Sequence, residues 1–83
     1  MLGTYRGGKI LAEKGVLILT APLNSWDMNY HLHDIISGED FLIDIDSVTD
    51  DEDELEENGG ILYSDLVALE DVDYIKEHIW KVI

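Results

Sequence analysis

The sequence predicts one α+β domain over residues 1–83, in which a small curled antiparallel sheet or open barrel of about four or five short strands carries a C-terminal helix. A chain of 83 residues has room for one core. Its hydrophobic fraction of 46% argues against disorder despite a net charge of −14, because disordered chains combine high charge with few apolar residues. Short apolar segments between Gly-containing turns are typical of antiparallel strands.

Two apolar segments near the start of the chain predict a β-hairpin. Residues 9–13 and 16–20 are separated by Lys14 and Gly15, and a Gly-containing turn between apolar segments favours a hairpin. The second segment has no polar alternation, which is expected for a strand that is covered on both faces. Pro22 ends this strand, because proline cannot donate a hydrogen bond to a sheet.

Residues 24–38 fit two structures. A period of two, typical of a strand, relates Trp26, Met28, Tyr30 and Leu32. A helix is the alternative, with Ser25 as its N-cap and with Met28, Leu32 and Ile35 on one face. We favour the strand, because the segment is short.

The clearest strand of the sequence begins at Phe41. Alternation places Phe41, Ile43 and Ile45 on one face of the sheet. Asp44 and Asp46 then lie about 7 Å apart on the other, exposed face.

An unusual concentration of acidic residues follows. Residues 50–57 contain seven carboxylates in eight positions, and residues 15–75 contain 17 acidic residues and no Lys or Arg. Like charges repel one another in a compact state, so such a run opposes folding. The sequence therefore predicts a mobile acidic loop at about residues 49–60, closed by Asn58 and two glycines.

The last part of the chain predicts a strand and then a helix. Residues 61–69 have β character, and Asp71 is a candidate N-cap for a helix that begins at Val72. The apolar stripe of this helix, which should pack on the sheet, consists of Val72, Ile75, Ile79, Val82 and Ile83.

Two histidines are the best candidates for a metal site. On a strand, His31 and His33 share one face, with Asp27 or Asp34 nearby. Zinc or iron needs a further ligand held in place, and the favoured interpretation is therefore structural histidines without metal. Residues 46–57 also lack the ligand at position 3, where Val48 stands, and the glycine at position 6 of a calcium-binding EF-hand loop. We predict no cofactor and no metal.

Several other functions are disfavoured by the composition. The chain has no Cys, no phosphate-binding Gly loop with a Lys, and no recognisable nucleophile beside a base, so we do not expect an enzyme. Direct binding of nucleic acid needs Lys and Arg, and the charge has the opposite sign. The longest apolar run is too short to span a bilayer, and anionic lipid would repel the acidic surface. A cytoplasmic protein without membrane contact is expected, and the sequence does not predict its oligomeric state.

The acidic residues are the candidate binding site for a protein partner. Carboxylates offered in place of phosphates would attract a basic nucleic-acid-binding protein or enzyme. We expect an inhibitor that mimics nucleic acid; in class, not in motif, the chain resembles the small acidic inhibitors that viruses use against host nucleases, glycosylases or CRISPR effectors. The alternatives are a non-inhibitory acidic module for a basic protein and a structural domain with a solubilising loop. The predicted partner-binding residues are Asp44, Asp46, Asp50, Asp51, Glu52, Asp53, Glu54, Glu56 and Glu57.

Overall fold

Five consecutive strands are followed by short helices and further strands, so the domain is α+β as predicted. The computed structural model describes residues 3–70, 72–73, 75 and 80–82. The strands are β1 (Thr4–Tyr5), β2 (Gly8–Lys14), β3 (Leu17–Thr20), β4 (Asn29–Asp34), β5 (Asp40–Asp44), β6 (Val48–Thr49), β7 (Ile61–Leu62) and β8 (Trp80–Val82). The helices are a 3-10 turn (Ile45–Ser47), α1 (Glu52–Asn58) and α2 (Tyr63–Ala68).

Six strands form one antiparallel sheet in the order β1-β2-β3-β4-β5-β8. The β2–β3 hairpin turns at Gly15 (φ 59°), as the sequence predicted. Within residues 24–38, which fitted both structures, Asn29–Asp34 form the strand β4, and it pairs with β3 and β5 on its two sides. A separate parallel pair, β6 with β7, lies beyond β5 in the sequence.

The main core lies on one face of the sheet. Leu19, Leu32 and Ile43 are fully buried there and come from β3, β4 and β5. α2 covers this face with Leu66, and Leu69 follows directly after the helix. α2 therefore packs on the core face of the sheet, where burial of apolar surface stabilises the fold.

The N-terminal hairpin curls over the other face. A register shift in β2 lies between Ile10 and Ala12, and such bulges bend a strand and increase its twist. As a result Tyr5 of β1 contacts the ring of His33 in β4, edge to face at 4.9 Å, although two strands separate β1 from β4 in the sheet. Gly8 makes the close approach possible, since a Cβ there would lie 2.9 Å from the Cβ of Thr20. The sheet is thus curved at its N-terminal edge, which bears out the predicted curled sheet or open barrel only in part.

The segment predicted as a strand at residues 61–69 is mostly helical. Only Ile61–Leu62 is extended, and Tyr63–Ala68 is α2. Leu66 and Leu69 are three residues apart and both buried, which is helical spacing that the sequence analysis missed.

The predicted C-terminal helix is correct only in its first part. Val72, Asp73 and Ile75 are helical, and Ile75 is buried. Trp80–Val82 is instead a strand that pairs with β5, so the helix does not continue to the end of the chain. The predicted N-cap Asp71 and the stripe residues Ile79 and Ile83 lie outside the described residues.

Candidate acidic interaction surface

The acidic run forms a helix rather than a loop. Asp51 is the N-cap of α1, and its carboxylate accepts hydrogen bonds from the N–H groups of Asp53 (2.9 Å) and Glu54 (3.5 Å). Acidic residues in a first helical turn interact favourably with the helix dipole, and Glu is a good helix former. The N-cap, the interaction with the helix dipole and the helix propensity of Glu together favour a helix despite the repulsion between carboxylates.

Contacts at both ends hold α1 in place. Before the helix, the Thr49 hydroxyl donates to Glu54 Oε2 (3.2 Å). After it, Gly59 N–H donates to Leu55 O (2.8 Å), and the backbone then passes so close to the 3-10 turn that a Cβ on Gly60 would lie 2.3 Å from Ser47 O. The β6–β7 pairing joins the two ends. The segment predicted as a loop is therefore a helix between two paired strands.

The prediction that Asp44 and Asp46 lie on one face of a single strand is wrong. β5 ends at Asp44, whose side chain accepts a hydrogen bond from Asp46 N–H (2.9 Å) and so caps the 3-10 turn. Both carboxylates are nevertheless exposed.

The structure brings these two residues next to the acidic helix. Asp44 and Asp46 line an open groove of about 330 Å³ together with Glu54 and Asn58 of α1. Asp50 and the first turn of α1 border a neighbouring concave surface. The remaining predicted residues, Glu56 and Glu57, are exposed on the last turn of the helix. All nine predicted residues are thus exposed, and we call them together the acidic surface.

Among the side chains that the structure describes, no ion pair involves a residue of the acidic surface. The salt bridges between described side chains join Arg6 to Asp40 (2.7 Å), His31 to Asp27 and His33 to Asp40. None of the three includes a residue of the acidic surface. From Asp51 to Glu57 the helix rises about 9 Å and carries six carboxylates, or one charge per ~1.5 Å.

The two histidines belong to a separate, buried polar cluster. Their rings stack at 6.0 Å with an interplanar angle of 8°, which confirms that His31 and His33 share one face. His31 Nε2 lies 2.6 Å from Asp27 Oδ2, and His33 Nδ1 lies 2.5 Å from Asp40 Oδ1. His33 Nε2 also lies 3.2 Å from the Thr20 hydroxyl. Each histidine is therefore engaged by its own carboxylate.

The cluster includes three polar side chains in contact with one another, and the first of them is closed to solvent. Thr20 contacts His33 and His33 contacts Asp40, in the same sequence of contacts as the nucleophile, base and carboxylate of a catalytic triad. Thr20 is fully buried, however, and its hydroxyl lies within 3.4 Å of the His31 carbonyl oxygen, so a substrate cannot reach it. Arg6 binds the same Asp40 and fastens the N-terminal hairpin over the histidines.

No group of three or more His, Asp or Glu side chains suited to a metal ion occurs in the described part of the chain. Asp27, one of the two carboxylates predicted near the histidines, is in contact with His31. The other, Asp34, accepts a hydrogen bond from Ile36 N–H (3.0 Å) in the β4–β5 turn.

Asp27 also organises the loop between β3 and β4. Its burial opposes ionisation, but hydrogen bonds from the N–H groups of Leu23 and Asn29 and the contact with His31 outweigh it and lower the pKa of the carboxyl. The loop is therefore tied to an ionised, 13% exposed Asp27 side chain at its base.

Large apolar side chains are exposed in this loop, a feature that the sequence analysis missed. Trp26 is 79% exposed, and Leu23 and Met28 are exposed beside it. Alternation had placed Trp26 and Met28 on the apolar face of a strand, but β4 begins only at Asn29. The turn-forming residues on both sides of Trp26 were the signal that could have shown this.

No helix in the described ranges is long and apolar enough to cross a membrane. Comparison of the chain with protein-family models, curated proteins and solved structures finds no match.

Proposed function

We propose that the chain is a small protein-binding inhibitor that mimics nucleic acid and occupies the basic DNA- or RNA-binding groove of a target protein. The observation that carries this proposal is the acidic surface itself, an array of exposed carboxylates that form no ion pair with any side chain that the structure describes. Its density along α1, about one charge per 1.5 Å, is close to the charge per ~1.7 Å of double-stranded DNA.

The groove between the β5 end and α1 extends the array beyond a single helix. Asp44 and Asp46, from the end of β5 and the 3-10 turn, line it together with Glu54 of α1. A target that lines its own groove with Lys and Arg would meet carboxylates from two directions, as it meets phosphates from two strands. Each exposed pair contributes about 0–1 kcal/mol, so the affinity is spread over many contacts, and the summed field accelerates association.

The target is a basic nucleic-acid-binding protein or enzyme. The action is occlusion without catalysis, in the cytoplasm, and in the host cytoplasm if the chain is viral. A host nuclease, a glycosylase or a CRISPR effector has the cationic groove that this surface fits.

The experiment has two steps. The protein is immobilised, a cell lysate is passed over it at low salt, and the proteins that elute as the salt concentration rises are identified. The captured protein is then purified, and its affinity for DNA or RNA is measured with and without the chain. The proposal expects salt-dependent capture and loss of nucleic-acid binding. Capture without that loss would identify a non-inhibitory acidic module instead, and absence of any basic partner would leave a structural domain.

A further inference from the structure

Trp26 is held out from the protein by an ordered loop. The backbone N–H of Trp26 donates a hydrogen bond to Asn24 Oδ1 (3.2 Å). The Asp27 carboxylate accepts hydrogen bonds from the backbone N–H groups of Leu23 (2.9 Å) and Asn29 (3.1 Å). These bonds fix the backbone on both sides of an indole that is 79% exposed. The backbone of the loop therefore loses little conformational entropy when a partner covers the indole.

The loop adjoins the acidic surface. Met28 O accepts a hydrogen bond from Ile45 N–H (3.0 Å), and Asn29 pairs with Asp44. Ile45 stands between Asp44 and Asp46 in the chain, so the exposed end of the loop and the two carboxylates lie side by side. The backbone that carries Met28 therefore lies beside the segment that carries two carboxylates of the acidic surface.

We propose that Trp26, with Met28 beside it, is the apolar anchor of the interface that the acidic surface makes. This inference rests on the proposed function and specifies its partner: a basic protein surface whose Lys and Arg surround an apolar or aromatic pocket. Nucleic-acid-binding proteins have such pockets where they stack an unpaired base beside bound phosphates. Trp is enriched among the residues that dominate binding energies, and its ring face also attracts Lys and Arg.

Charge complementarity favours this partner over a second copy of the chain. Residues 15–75 have no Lys or Arg, so the same surface on another copy would repel it. A neutral apolar partner would bury Asp44 and Asp46 without counter-ions, which is costly. A cationic rim around an apolar pocket satisfies both parts of the surface.

The chain contains a matched control for Trp26. Ile36, in the β4–β5 turn, is also 79% exposed. The whole of β4, six residues and about 20 Å, separates the two positions. Ile36→Ala therefore removes an equally exposed apolar side chain far from Trp26.

The test uses two synthetic peptides of equal length and charge, one alternating lysine with serine and the other alternating lysine with phenylalanine. Titration calorimetry measures their affinities for the parent, Trp26→Ala and Ile36→Ala, after melting curves have established that all three are folded. The parent should bind the phenylalanine peptide more tightly. Trp26→Ala should reduce that affinity roughly tenfold and leave the serine peptide unchanged, while Ile36→Ala should change neither.

The outcomes separate this inference from the function on which it rests. Equal affinities of the two peptides for the parent, or equal effects of Trp26→Ala and Ile36→Ala, would overturn the anchor while leaving the acidic surface as a binding site. If neither peptide binds the parent, the acidic surface does not recruit basic partners and both proposals fail.

Discussion

Because the acidic run is a helix, loss of charge at its two ends should change the stability of the protein by different amounts, which would not be expected for a loop. Two double variants remove the same charge from exposed positions at opposite ends of α1. One is Glu52→Gln with Asp53→Asn in the first turn, and the other is Glu56→Gln with Glu57→Gln in the last. We expect the last-turn variant to be the more stable of the two.

The size of the difference follows from the helix geometry. The pairs Glu52–Glu56 and Asp53–Glu57 are four residues apart, and each variant relieves both repulsions, worth about 0.2–0.5 kcal/mol per pair. These gains cancel in the comparison. The interaction with the helix dipole does not cancel, because each acidic side chain stabilises the first turn of a helix, or destabilises the last turn, by about 0.3–1 kcal/mol. The repulsion between Glu54 and Glu57, relieved only in the last-turn variant, acts in the same direction. Screening at exposed sites reduces these values, so the variants should differ by about 1–2 kcal/mol.

Thermal unfolding followed by circular dichroism measures this difference. For a domain of this size, 1 kcal/mol corresponds to roughly 4–8 °C in the melting temperature. The gap should narrow in about 1 M salt, where the Debye length is about 3 Å. Equal melting temperatures at low salt, or a more stable first-turn variant, would refute a helix with this direction at these residues.

Two further predictions concern groups with perturbed pKa values. Burial, with smaller contributions from Tyr63 and Asp50, raises the pKa of the Tyr30 phenol, so stability should be complete below its usual value of 10.0 and fall as the pH rises through the folded value. Asp50→Asn should lower that pKa in an absorbance titration of the phenolate, and a shift of equal size with Asp53→Asn would contradict the position of Asp50. The lowered pKa of Asp27 implies stabilisation that is present above 3.8 and lost as the pH falls through the folded value. Asp27→Asn should cost about 1–3 kcal/mol at pH near 6 and much less in acid, as measured by urea unfolding; a cost independent of pH would refute the assignment.

Alternation and turn residues were sufficient to predict the middle of the sheet. Leu32 and Phe41 pair across β4 and β5 on the core face, as the period of two indicated. The predicted partner-binding carboxylates are also exposed in the structure. These features depend on local patterns, and the sequence contains them.

The acidic helix could also have been predicted, but charge repulsion was given too much weight. Asp51 followed three residues later by Glu54 is a recognisable helix start. A cap contributes about 1 kcal/mol, whereas each like-charge pair at helical spacing costs only a few tenths. The local signals for a helix therefore outweigh the repulsion.

Other features depend on contacts between distant parts of the chain. Val82 fits the apolar stripe of a helix, yet β8 pairs with β5, and pairing across that separation is not readable from spacing. The histidines are buried because Tyr5 and Arg6 fold over them. Neither contact leaves a periodic signal in the sequence.

The central claim is that the acidic surface, rather than net charge, recruits a basic nucleic-acid-binding partner. Two variants that lose equal charge separate these explanations. The first neutralises five acids of the run, with Asn at the cap so that the helix is kept: Asp50→Asn, Asp51→Asn, Glu52→Gln, Asp53→Asn and Glu54→Gln. The second neutralises five exposed acids elsewhere: Glu13→Gln, Glu39→Gln, Asp65→Asn, Glu70→Gln and Asp73→Asn.

The most direct measurement is the association rate of each variant with the captured target across a range of ionic strength. The run variant should associate more slowly, show a weaker salt dependence and lose about 2–3 kcal/mol of binding free energy, or roughly a hundredfold in affinity. The control variant should keep most of the parental rate and affinity. Equal losses in the two variants would show that net charge alone attracts the target, and an unchanged run variant would show that the acidic surface is not the binding site.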